Sequence, residues 1–101
     1  MQSKRRPVTV GDILEEEFLK PMRVTRDCLA EAMGVHCQLV NELCDNHRAI
    51  TVDIALMLSR VFGTSAEFWL NLQRRIDLWE AQNSPERKAR IERARPIRQA
   101  P

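Results

Sequence analysis

Glycine is scarce in this 101-residue chain, three in all, and no Gly-rich phosphate loop or GxSxG elbow is present. Those absences take away the sequence grounds for nucleotide-hydrolysing and serine-hydrolase chemistry. No apolar run approaches the roughly 18 residues of a membrane span, so no membrane partner is expected. The basic N-terminus MQSKRRPVTV has no apolar stretch behind it, and no signal peptide is expected. The three cysteines are odd in number and spaced unlike a disulfide framework. A cytoplasmic protein with free thiols is the expectation. No CxxC or HxxxH spacing occurs. His36, Cys37, Cys44 and His47 lie near one another, and Cys37 and Cys44 share a helix face, but two of the four fall at helix ends. Incidental or buried thiols explain them better than a metal site, and no cofactor is expected. Cys28 reads as packing. Glu15, Glu16 and Glu17 are consecutive, so on a helix they splay instead of converging as catalytic acids would. Nothing suggests an enzyme or a small-molecule substrate.

What is present is a segregation of charge. The net +2 divides into a basic arm at Lys4, Arg5 and Arg6, a body over residues 7–82 at −5, and a C-terminal segment at +4. Basic ends point to a polyanion or an acidic protein surface, or else to solvated tails.

The chain is also well punctuated for helices. Thr9, Thr25, His36, Thr51 and Thr64 or Ser65 stand at cap positions. Val8 to Ile13, Val24 to Leu29 and Val35 to Val40 have the spacing of hydrophobic staples, and Thr9 with Asp12 and Thr64 with Glu67 that of capping boxes. Pro21, Gly34, Asp45-Asn46 and Gly63 are the expected stops. Apolar stripes at helical spacing include Leu14, Phe18, Leu29, Met33, Val40, Leu43, Ile54, Leu58, Phe62, Phe68 and Leu72. Sustained period-two alternation is absent. The expected fold is all-α: a compact five-helix domain over residues 8–82, with short basic extensions at 1–7 and 83–101. In the second extension, Ser84-Pro85 reads as a cap and first helical position, from which a short basic helix runs toward Pro96.

One joint carries the function. In AEAMGVHCQLVNEL, residues 30–43, a helical run stops at Gly34 and helical spacing resumes at once. Ala30 is small where two helices would cross, and Val40 and Leu43 face back to the core. This spacing resembles the DNA-binding helix-turn-helix. The expected partner is double-stranded DNA. His36, Cys37, Gln38, Asn41 and Glu42 would lie on the outer face of the recognition helix. Gln38 and Asn41 suit adenine edges. Thr25, Arg26, His47, Arg48 and Thr51 are expected near phosphates, whereas Glu42 and Asp45 oppose close phosphate approach.

RPVTVGDILEEEFLKPM, LAEAMGVH, RAIT and GTSAEFWLNLQRRIDLW together resemble the HigA-type antitoxins, also known as virulence-associated protein I, of the phage-repressor-like Xre group. The resemblance implies a homodimer that binds a palindromic operator in its own promoter. It also implies a cognate toxin partner, usually a RelE-like mRNA endonuclease, that the antitoxin blocks without catalysis. Phe68, Trp69, Leu72, Ile76 and Trp79 give the fifth helix a wide apolar face, expected to serve dimerisation. The basic termini are candidates for the toxin contact. His36, Cys37 and Asp45-Asn46 depart from the serine, arginine and Asn-Gly common in the family, so the operator should be this protein's own. Two other readings stay open: a stand-alone transcription regulator, and a protein-interaction module whose basic ends grip an acidic partner.

Overall fold

The computed structural model describes residues 6–97, and every regular element among them is helical. Helix α1 covers residues 10–22: an α turn Val10–Ile13, a π-helical stretch Leu14–Leu19 and a last turn Lys20–Met22. It is followed by α2 (Arg26–Met33), α3 (Cys37–Cys44), α4 (Val52–Phe62), α5 (Ala66–Asn83) and α6 (Pro85–Ile91). The described residues thus hold six helices, five through Asn83 and a sixth in the basic extension, where Ser84-Pro85 reads as a helix start. The sixth forms because Ser84 Oγ accepts the Arg87 N–H at 3.4 Å and Pro85 takes the first turn, where its missing N–H costs nothing. Lys4, Arg5 and Arg98 lie outside the described residues.

The threonine caps form. Thr9, Thr25 and Thr51 accept the N–H groups of Asp12, Cys28 and Ile54 at 3.1, 3.1 and 3.3 Å. At α5 the cap is Ser65, which accepts from Phe68 N at 3.1 Å, and not Thr64. Thr64 Oγ1 instead accepts the Trp69 indole N–H at 2.7 Å, so the expected Thr64–Glu67 box is not the device used. Gly34, Gly63 and Asn46 leave their helices with φ of +74°, +74° and +62°. Pro21 does not end α1. The π stretch before it shifts the hydrogen-bond ladder and accommodates a residue without an N–H. The helix continues to Met22 and exits through Arg23 at φ +56°.

Leu14, Leu29, Val40, Leu43, Leu58 and Trp69 are fully buried, and together they draw α1 through α5 onto one core. Trp69 is its largest member. Its ring lies 5.1, 6.2 and 5.0 Å from those of Phe18, Phe62 and Phe68. Leu72 and Ile76 are buried on the same helix. These three side chains, expected at a dimer surface, line the protomer's own interior, because α5 packs lengthwise on α4 and α1 and needs its widest apolar stripe there.

Two polar ties fix the loop that follows α3. Asn46 Oδ1 accepts the Gly11 N–H at 2.9 Å. A Cβ on Gly11 would collide with Cys44 O and Asn46 Oδ1, so glycine permits this close approach of α1 to the end of α3. Gln73 Oε1 accepts the Ile50 N–H at 2.8 Å and ties the same loop to α5.

The core is compact but the molecule is not. Its extents are 59 × 27 × 23 Å and its radius of gyration is 17.1 Å, against about 13 Å for a compact chain of this length. The 18-residue α5 is about 27 Å long. Past Ile76 it still touches the body through Glu80, paired with Arg6, and through Leu78 and Ala81, and every residue from Pro85 to Ile97 is exposed.

Candidate nucleic-acid interface

Helices α2 and α3 meet at Gly34 as the sequence predicts. The Gly34 and Val35 N–H groups close the end of α2 by donating to Glu31 O at 3.1 Å and Ala30 O at 3.0 Å. A side chain on Gly34 would meet nothing within 4 Å, so the position requires glycine for its positive φ and not for space. Ala30 is buried at the crossing, and Val40 and Leu43 seat α3 on the core. The opposite face of α3 is left outside. His36 and Gln38 are exposed there, and they share an open groove with Leu39, Glu42 and Arg48. His36 makes no side-chain cap bond, so its imidazole stays available.

Other site residues are engaged within the protein. Arg26 is the centre of a network: Nε donates to Glu15 Oε1 at 2.8 Å, Nη1 to Asn41 Oδ1 at 3.2 Å and Nη2 to Asp45 Oδ1 at 3.3 Å. The hydrogen bond to Glu15 holds the guanidinium still more firmly protonated than usual. Asn41 is half-buried, and its Nδ2 faces Cys37 Sγ at 3.7 Å. Both ends of its amide are therefore occupied, and Asn41 does not stand free as a base reader in this conformation. Cys37 donates to the Asp27 carboxylate, which pushes its thiol pKa up. Arg48 pairs with Glu42 at 3.0 Å. Thr25 and Thr51 are exposed, with hydroxyls already capping α2 and α4. His47 is exposed and faces a separate hollow with Arg6, Gln73, Asp77 and Glu80.

Burial pushes the Cys44 thiol up to about 12. Among the described residues no three His, Cys, Asp or Glu side chains converge on a common metal position. No helix among them is long and apolar enough to cross a membrane.

Sequence reasoning passed over Arg23. From Arg6 to Arg48, among the described residues, Arg6, Lys20, Arg26 and Arg48 are all in ion pairs. Arg23 is exposed, forms no ion pair, and sits two residues before the cap of α2. Its signal was hidden because a left-handed exit is ordinarily glycine's place.

No protein-family model matches the chain. Similarity to individual proteins is strong. The chain is 45% identical over 90 residues to antitoxin HigA-1 of Vibrio cholerae, covering 89% of this chain and 85% of that protein. It is 45% identical over 83 residues to YbaQ, an uncharacterised helix-turn-helix-type transcriptional regulator of Escherichia coli, covering 82% and 74%. Among solved structures it superposes on the Pseudomonas aeruginosa antitoxin HigA, solved with the higBA promoter, with a TM-score of 0.79, 38% identity and coverage of 87% and 94%. An all-α helix-turn-helix core joined at Gly34, in a chain this similar to HigA antitoxins over nearly its whole length, belongs to the HigA antitoxin family.

Proposed function

We propose that this chain is the antitoxin of a toxin–antitoxin pair, and that it represses its own operon by binding operator DNA as a homodimer. The observation that carries the reading is the outer face of α3, where exposed Gln38 and His36 stand clear of the protein in an open groove with Glu42 and Arg48. An exposed amide on a helix anchored by Val40 and Leu43 is what readout of adenine in the major groove requires. Phosphates would be held by Arg23, by the first-turn N–H groups of α2 and α4 near Thr25 and Thr51, and by Arg48 once it leaves Glu42. The likeness to a HigA solved with its promoter supports this assignment.

The second copy would pack on the face that the core leaves open. Val52 and Leu56 on α4 are 60% and 52% exposed, and Leu78 on α5 is 54% exposed. Leu70 and Ala81 lie in the same shallow groove as Val52 and Leu78. Phe68, packed against Phe18 and Trp69, and half-buried Trp79 are not among the residues lining that groove. The toxin, a RelE-like mRNA endonuclease, would be neutralised by direct binding, with the basic termini as candidate contacts.

The likeness to YbaQ favours one alternative, a regulator with no toxin. The test is to express the small reading frame beside this gene, alone and with this protein, and to follow growth. Arrest relieved by co-expression supports the antitoxin reading. Arrest that this protein does not relieve, or no arrest, leaves the regulator.

A further inference from the structure

We infer that Arg26 is a positioning residue that sets the orientation of the recognition helix, and not a phosphate contact. The inference rests on the DNA-binding reading above. Three guanidinium nitrogens of Arg26 reach three acceptors on two other helices: Glu15 on α1, and Asn41 and Asp45 at the middle and end of α3. The Glu15 contact is the shortest, and both partners are partly shielded, with side chains 35% and 25% exposed. A planar fork engaged on several sides fixes angle as well as distance, which a lysine's point charge does not. Asn41 Oδ1 takes the Arg26 bond across from α2, while its Nδ2 is held to Cys37 on α3 itself, so the amide is fixed as an acceptor for Arg26. The tie from Gly11 to Asn46 fixes the same end of α3 to α1 by an independent route. Readout then falls to Gln38 and His36, whose placement depends on how α3 is pitched.

The two roles for Arg26 predict opposite responses, so one set of variants separates them. The full-length wild type selects a sequence from a random duplex library. Arg26→Met, Arg26→Lys and Glu15→Ala are then titrated with that duplex and a scrambled one across a salt series. A positioning role predicts that all three variants lose about tenfold for the selected duplex, the loss of one well-placed base contact, while scrambled binding and the salt slope hold. A phosphate contact predicts that Arg26→Met weakens both duplexes alike and lowers the slope by about 0.9, and that Arg26→Lys restores binding. It also predicts that Glu15→Ala, by releasing the cation, tightens binding. That pattern overturns the inference. Hydrogen exchange on the free protein supplies a readout that needs no DNA. Arg26→Met and Glu15→Ala should speed exchange at residues 41–45 relative to α4, and unchanged protection there also overturns the clamp. A wild type that selects no duplex sinks the DNA reading, and the exchange data then decide the clamp alone.

Discussion

Arg23 shows how much one backbone angle can conceal. A non-glycine residue in the left-handed region costs about 1–2 kcal/mol, part of which glycine's extra freedom when unfolded would offset. Arg23→Gly should therefore raise stability by up to about 1 kcal/mol while lowering the salt slope of DNA binding by about 0.9. Thermal melts and a salt titration check both, and an unchanged slope removes Arg23 from the phosphate contacts. Gly11 is the converse case. Gly11→Ala drives a methyl group into Cys44 O and Asn46 Oδ1, and overpacking there should cost about 1–3 kcal/mol in denaturant melts. At Cys44 the sign follows from burial. Its folded thiol ionises at about 12, against about 8.5 for an exposed one. The contribution is complete below the unfolded value and is lost as pH climbs from there toward the folded one. Denaturant midpoints should fall over that window, and Cys44→Ala should flatten the fall. At this scale the sequence disclosed caps and glycines, because their chemistry is local. It did not disclose the partners of Arg26 or Arg48. Glu15 is eleven residues from Arg26, and only the fold, which sets α1 beside the start of α2, brings them together.

Among the elements, α2, its turn and α3 were readable almost to the residue, since Thr25, Gly34, Val40 and Leu43 each carry a local signal. Helix α5 was readable in extent but not in orientation. Phe68, Trp69, Leu72, Ile76 and Trp79 form one broad stripe in sequence, and nothing local says which part the protomer keeps. The structure gives Trp69, Leu72 and Ile76 to the core and leaves Leu78 outside with Val52 and Leu56. Leu56→Glu with Leu78→Glu should convert a dimer to a folded monomer, read by light scattering and circular dichroism. A dimer that survives both changes moves the interface elsewhere. Trp69→Ala should cost about 3–5 kcal/mol, because it empties the middle of the aromatic cluster and orphans the Thr64 hydroxyl. The π stretch of α1 had no readable signal: LEEEFL is ordinary helical sequence, and only the position of Pro21 hints at a shifted ladder.

For the whole molecule, the division of charge was plain from the sequence and the shape was not. The C-terminal helix is exposed throughout, and it meets the body through Arg87, which shares the shallow groove of Val52 and Leu78. Removing residues 84–101 should leave the melting temperature nearly unchanged, since surface groups of this kind contribute within about 0.5 kcal/mol. The same truncation should flatten the salt dependence if the arm meets DNA. An axial ratio above two, from extents of 59 × 27 × 23 Å, also has a hydrodynamic consequence. A single copy drags more water than a sphere of its 11.7 kDa and elutes early from a sizing column. Calibrated against round standards, one such copy reads heavier than its mass but short of a dimer, and the truncated chain should elute later by more than its lost mass accounts for.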